Sequence, residues 1–442
     1  MFSFSTPRTT ALILALTLFT NCLLARAQGR PKAFTGAKII PINSDPIENG
    51  TFIIQDHKIL AVGPANTLIP PDSERIDVTG KVIMPGLVDT HSHIGGPAGA
   101  DGSSPIQPET RVLDSIDVRD ASLQKAQAGG ITTVNIMPGS GHLVSGQTLY
   151  LKLRDANSIE DLLITNKLGR IAGGLKMANG TNPRRDPPFP GTRGKAASLV
   201  REKLVAAREY RDKINRAKGD VDKLPPRDLA LEVFVEALDG SRMVHHHTHR
   251  HDDILTVLRL QKEFGFRVVL HHVSDAWKVA REIAEAKALC SIIVLDSPGG
   301  KLEARDVDWS NGVALEKAGA QVAFHTDDSV TDSRWFLRSA AFAVRAGMSR
   351  AAALKGLTIT AAEMLDLHEQ IGSLAPGKDA DFLILSGDPL SAYSQVMETW
   401  VDGVRVFDRS NAKDRLWAVG GLGAGQSRSA HLCCFGTWDT AR

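Results

Sequence analysis

The chain has 442 residues, 43% hydrophobic and 23% charged, with a formal net charge of +2. That make-up supports a large buried core and argues against a disordered chain. Of 52 basic side chains, Arg8 and Arg26 fall in an N-terminal leader, and the remaining 50 balance 50 acidic ones, so no basic excess points to nucleic acid.

Residues 1–27 read as a cleaved secretory signal. MFSFSTPRTT carries one basic residue and no acid, ALILALTLF is an apolar run, and Ala25-Arg26-Ala27 fits a small-residue cleavage site. The run is too short for a confident span, and no later run approaches ~20 apolar residues. The expectation is a secreted or periplasmic protein without a membrane span after cleavage; a retained N-terminal anchor is the runner-up. Cleavage removes Cys22. Cys290, Cys433 and Cys434 do not make a disulfide framework, and Cys290, opening the apolar run CSIIVLD, reads as a small buried side chain.

From Ala33 to about Lys81 short apolar runs alternate with turns (AKIIPI, GTFIIQDHKILAVG, RIDVTGKVI), the pattern of antiparallel strands. The same flavour returns in DADFLIL and WVDGVRVFD. Residues 33–82 and 370–410 are therefore assigned to one composite β-sandwich module. Between them, over 83–369, strands alternate with helices, which implies an α/β protein with a (β/α)8 TIM-type barrel. The strands are MPGLVDTHSH, ITTVNIM, GGLKMAN, RMVHHHTH, FRVVLHH, SIIVLD and QVAFHTD, with a weak one around GQTLYLKL or DLLIT. NPRRDPPFPGTRG reads as a long loop over the mouth, and residues 411–442 as a C-terminal tail.

In such a barrel the chemistry sits at the C-terminal strand ends. There the sequence places His91 and His93, His245 to His249, His271-His272, and His325-Thr326-Asp327-Asp328. Histidines at i and i+2 on a strand share a face, so one ion can be gripped by both. Histidine and aspartate suit zinc, with iron or manganese as alternatives. Within VHHHTH, His245, His247 and His249 share one face and His246 takes the other.

PGLVDTHSH, the split β module, the order HxH, Lys, His, His, Asp and the return IGSLAPGKDADFLIL together resemble the amidohydrolase superfamily. The resemblance is nearest to its imidazolonepropionase-like and secreted dipeptidase-like group. It spans about Ala33 to Phe407. It implies one or two divalent metals, with His91 and His93 on the more buried one. Lys176, as a carbamate, would bridge the two; the plain lysine stays open. His247 and His272 would be further ligands, with His245 and His249 as alternatives to His247. His271, where an acidic residue is usual, is the outward neighbour of His272. Asp327 would be both ligand and proton acceptor, and His272 would polarise the carbonyl if only one metal binds. His249 at the rim, together with Arg184, Arg185, Arg250 and His142 on the loops, would touch substrate; arginine there suits a carboxylate.

The activity implied is hydrolysis of a C–N bond in a cyclic amide, a dipeptide or an N-acyl amino acid. Two other readings stay open: a non-catalytic metal scavenger, and a decarboxylase or isomerase on the same fold. A homo-oligomer is also left open.

Overall fold

The computed structural model describes residues 29–97, 101–294 and 301–420. The leader, with Cys22, and residues 421–442, with Cys433 and Cys434, lie outside the described residues, as does the end of the seventh expected strand.

Both ends of the chain enter one eight-stranded sheet. The N-terminal part supplies β1 (Lys32–Ile39), β2 (Ile47–Gln55), β3 (Lys58–Pro64), β4 (Glu74–Asp77) and β5 (Val82–Pro85). The strands β15 (Phe382–Leu385), β16 (Val396–Val401) and β17 (Val404–Asp408) return to it, in the order β17-β16-β15-β5-β1-β2-β3 with β4 on β1. These strands form one continuous hydrogen-bonded sheet. Its apolar cluster is aromatic: Phe34 meets Phe382 edge-on at 5.2 Å, and Phe382 stacks on Trp400 at 5.3 Å.

The intervening chain supplies β6 (Leu87–Ser92), β7 (Ile131–Ile136), β8 (Val144–Gln147), β9 (Leu149–Lys152), β10 (Leu175–Ala178), β11 (Val244–Thr248), β12 (Val268–His272), β13 (Leu289–Ile292) and β14 (Val322–Phe324). From β10 to β14 every neighbouring pair is parallel, as is the β6–β7 pair. The weak third strand is GQTLYLKL, and it runs against its neighbours: β9 pairs antiparallel with β7, and β8 antiparallel with β10. The described strands therefore form ladders of three and six rather than one closed ring. Separate bonds span the seam between β14 and β6, where the Asp327 amide donates to the His91 carbonyl at 2.9 Å and the Thr90 hydroxyl donates to the Phe324 carbonyl at 3.3 Å.

Helices cover the outer faces of these strands because their apolar stripes recur every three to four residues. The helix Arg193–Ala217 buries Ala196, Val200, Leu204 and Ala207, and starts at Thr192, whose hydroxyl accepts from the Lys195 amide. The helix His251–Phe264 buries Ile254, Val257, Leu258 and Leu260 and ends on Gly265 at φ 81°. Cys290 is fully buried, and burial pushes its thiol up to about 12. No helix among the described residues is long and apolar enough to cross a membrane.

The eight-stranded sheet is locked to β9 by charge. Lys152 is buried, and its ammonium lies 2.6 Å from Asp379 and 3.1 Å from Asp381 and also bonds Asp402. Burial works against the charged amine, but the three carboxylates outweigh it and hold its pKa up. Lys152→Met should strand three partly buried carboxylates and cost about 3–5 kcal/mol. Urea unfolding monitored by circular dichroism checks this; a midpoint equal to that of the unsubstituted protein would remove the junction's structural role.

Candidate metal centre

Eight imidazoles project into the interior of the parallel strands: His91, His93, His245, His247, His249, His271, His272 and His325, all buried. Strand alternation places His245 and His247 on the inner face of β11, with His249 just beyond it. His246 lies on the other face, in a cavity it shares with Arg193, Asp253 and Arg259. Alternation fails at one point. His272 has φ 69° and Val273 φ 41°, so the backbone turns left-handed at the end of β12. His271 and His272 therefore both face inward, which corrects the expectation that His271 points outward. His271 sits 2.9 Å from His245 through Nε2 and Nδ1, and its ring is 4.9 Å from that of His91.

Within this cluster, three groups of described side chains converge closely enough to hold an ion, with one donor atom from each member within 4.8 Å of the others: His91, His93 and Asp327; His91, His272 and His325; and His247, His249 and His272. In the first group the Asp327 Oδ1 lies 3.3 Å from His91 Nε2 and 3.1 Å from His93 Nε2. Asp327 reaches back over β6 because its own backbone is left-handed, at φ 49°. Its Oδ2 is 3.9 Å from His272 Nδ1, which joins the first group to the others.

Outer contacts orient these rings. Nδ1–H of His93 donates to the Met137 carbonyl at 2.7 Å, which leaves Nε2 aimed at the carboxylate. His249 Nδ1 meets the Ser274 hydroxyl at 2.8 Å, and His325 Nδ1 meets Ser291 at 2.8 Å. Asp89 is fully buried and accepts from the Thr326 hydroxyl at 2.5 Å and from the His91 amide at 3.2 Å, tying the two ligand-bearing strand ends together. Burial pushes the Asp89 carboxyl up to about 7.

Lys176 is fully buried on β10, with Nζ 3.2 Å from His91 Nε2 and 2.8 Å from Met137 Sδ. Of the residues expected to touch substrate, Arg250 is paired in a fork with Asp252 at 2.9 and 2.8 Å, away from the cluster. Arg184 donates to the Gly180 carbonyl at 3.1 Å. Arg185 covers the Phe189 ring at 3.9 Å and bonds the Gly141 carbonyl, and His142 meets the same ring edge-on at 5.1 Å. Asn182 connects this loop to the cluster, bonding Ser140 Oγ at 2.6 Å and His247 Nε2 at 3.2 Å.

The sequence alone gave no role to Asn182, Ser140 or Met137, because a short polar residue in a loop, or a methionine whose carbonyl orients a ring, carries no signal of its own. His325 was visible beside Asp327, but the parity of a three-residue strand does not say which way it points.

The donor chemistry fits a divalent cation. Burial, reinforced by neighbouring cationic groups, holds the rings of His91, His247, His271 and His272 well below the usual imidazole range, and those of His245, His249 and His325 at about 3. Neutral imidazole is the form that ligates. His91 Nδ1, His247 Nδ1, His249 Nε2, His271 Nδ1 and His272 Nε2 are buried without a partner among the described residues. Such atoms cost stability unless something satisfies them.

Parallel strands carrying imidazoles and one carboxylate at their C-terminal rim make a site of the kind that serves metal-assisted hydrolysis. The chain belongs to the amidohydrolase family, whose model matches residues 82–407; the fold of that superfamily is a TIM barrel. The crystal structure of an amidohydrolase from Thermotoga maritima is 34% identical, covering 85% of this chain and all of that one with a TM-score of 0.79. Amidohydrolase tasK of Hapsidospora irregularis is 26% identical over 82% of this chain, which spans 39% of that relative's length. An imidazolonepropionase of Fusobacterium nucleatum subsp. nucleatum is 24% identical over 79% of this chain and 88% of its own.

Burial holds the imidazoles of His91, His245, His247, His249, His271, His272 and His325 below the ordinary value of 6.5, so the unfolded chain takes up protons first as pH falls. The Tm of metal-stripped protein should hold above about pH 7 and drop steadily between about pH 6.5 and 5. A Tm that stays level across that window would contradict the neutral, buried state of these rings.

Proposed function

We propose that this protein is a metal-dependent hydrolase that cleaves the amide C–N bond of a small substrate: a cyclic amide, a dipeptide or an N-acyl amino acid. The observation that carries the reading is Asp327, a buried carboxylate held 3.1 Å from His93 and 3.3 Å from His91. Burial alone would raise its pKa, but the hydrogen bond and charge of His93 outweigh burial and keep it below the ordinary carboxylate range.

The ion would be held by His91, His93 and Asp327, and a second by His247, His272 and, as the family implies, a carboxylated Lys176. When bound, divalent metal makes water acidic and polarises a carbonyl. Asp327, ionised at neutral pH, takes the proton of the attacking water. The protonated carboxyl then donates to the departing nitrogen, so one group acts first as base and then as acid. Asp89 and Thr326 hold the strand end in register while this happens. The loop bearing Asn182 closes one side of the site, and Arg185, exposed above His142 and Phe189, is the mouth residue placed to meet a substrate carboxylate.

A scavenger would need the ligands but no proton acceptor, so Asp327 separates the two readings. Export from the cytoplasm rests on the leader pattern alone. Asp327→Asn keeps an oxygen ligand and removes the base. It should lower turnover of any hydrolysed dipeptide, N-acyl amino acid or cyclic amide by at least about a hundredfold, with metal content by elemental analysis close to that of the parent protein. Undiminished turnover would refute the assigned base. A parent protein that binds metal but hydrolyses none of the three substrate classes would refute the hydrolase reading.

A further inference from the structure

The second ligand set contains a residue that neither the ligand set drawn above nor the proposed chemistry uses. His249 lies two positions beyond His247, and the same inner face presents both. Its ring is 4.7 Å from that of His247 and stacks on His272 at 5.0 Å. The His247 and His272 rings are 4.4 Å apart, so the three form a closed triangle. Each offers a ring nitrogen within 4.8 Å of the other two. His249 is anchored on its far side by Ser274 at 2.8 Å, which turns Nε2 inward. That Nε2, with His247 Nδ1 and His272 Nε2, has no partner among the described residues, and all three side chains are more than nine-tenths buried.

Three buried neutral imidazoles converging on one point, each with an unpartnered nitrogen, are by themselves a complete facial ligand set for a divalent ion. Lys176 is placed differently. Its Nζ is 3.2 Å from His91 Nε2, a member of the His91, His93 and Asp327 group. We propose that His249 is a metal ligand, that the second ion is held by His247, His249 and His272, and that this ion does not require carboxylation of Lys176.

The inference rests on the metal-site reading of the proposed function and puts His249 in the place given there to a carboxylated Lys176. Two consequences follow from the chemistry. An ion held by three neutral ligands keeps its full positive charge, whereas a carbamate would neutralise part of it, so the second position favours bound anions more strongly. Metal content also becomes independent of dissolved carbon dioxide, because no carbamate has to form.

The test is metal content of the full-length chain after loading with Zn2+ and desalting, read by elemental analysis, with Co2+ loading and its visible absorption as a second readout. The parent protein should hold about two ions per chain. His249→Ala and His249→Gln should each hold about one, with loss of part of the cobalt spectrum, while their circular dichroism spectra match the parent's. Lys176→Met should keep about two, with or without added bicarbonate. His249→Gln that keeps both ions and an unaltered cobalt spectrum overturns the proposal, as does a Lys176→Met protein that loses one. A parent chain that holds only one ion, lost in His93→Ala, also overturns it while sparing the primary site. A parent chain that holds none overturns the metal reading itself, a distinct result.

Discussion

Polar rings buried without partners set the terms for everything else in this molecule. Five imidazole nitrogens in the strand interior lack a partner among the described residues, and burial keeps the rings neutral. An unsatisfied buried acceptor or donor costs on the order of 1–3 kcal/mol. Five together approach the whole stability of an ordinary domain, about 5–15 kcal/mol. A cation shared among those lone pairs turns the penalty into ligation. The same environment that makes the empty cluster costly makes the filled one tight, because neutral imidazole need lose no proton to bind.

The rest of the fold serves that constraint. The eight-stranded sheet gathers both ends of the chain and is pinned to β9 through Lys152 and its three aspartates. Asp89 and the Asp327 amide cross the seam between β14 and β6, so the first and last ligand-bearing ends of the barrel strands move as one piece. Two left-handed residues, His272 and Asp327, bend their strand ends so that side chains leave the alternating pattern and reach the common centre. Geometry of this kind is stored in packing and hydrogen bonds, not in the ligands themselves.

Much of this was legible in the residues. Alternating strands and helices announced the parallel core, and the HxH at His91 and His93 announced one wall of the site, because period-two spacing fixes which face a side chain takes. The inward and outward split of His245, His246 and His247 followed the same rule. What sequence could not show is where that rule breaks. Nothing in VVLHHVS reveals that φ turns positive at His272, so His271 was assigned outward although it lies inside, bonded to His245. The opposite direction of the third strand was equally hidden, since GQTLYLKL reads the same whichever way its neighbours run. Asn182 opens the loop read as lying over the mouth, and tertiary contacts with Ser140 and His247 fix it in the site.

X-ray absorption at the metal edge of the purified, zinc-loaded protein addresses the central claim most directly. The account predicts a first shell of nitrogen and oxygen at about 2.0–2.1 Å, with the outer-shell scattering of several imidazole rings and no sulfur near 2.3 Å. A shell of water oxygens without imidazole scattering, or a sulfur shell, would contradict an ion seated among these histidines.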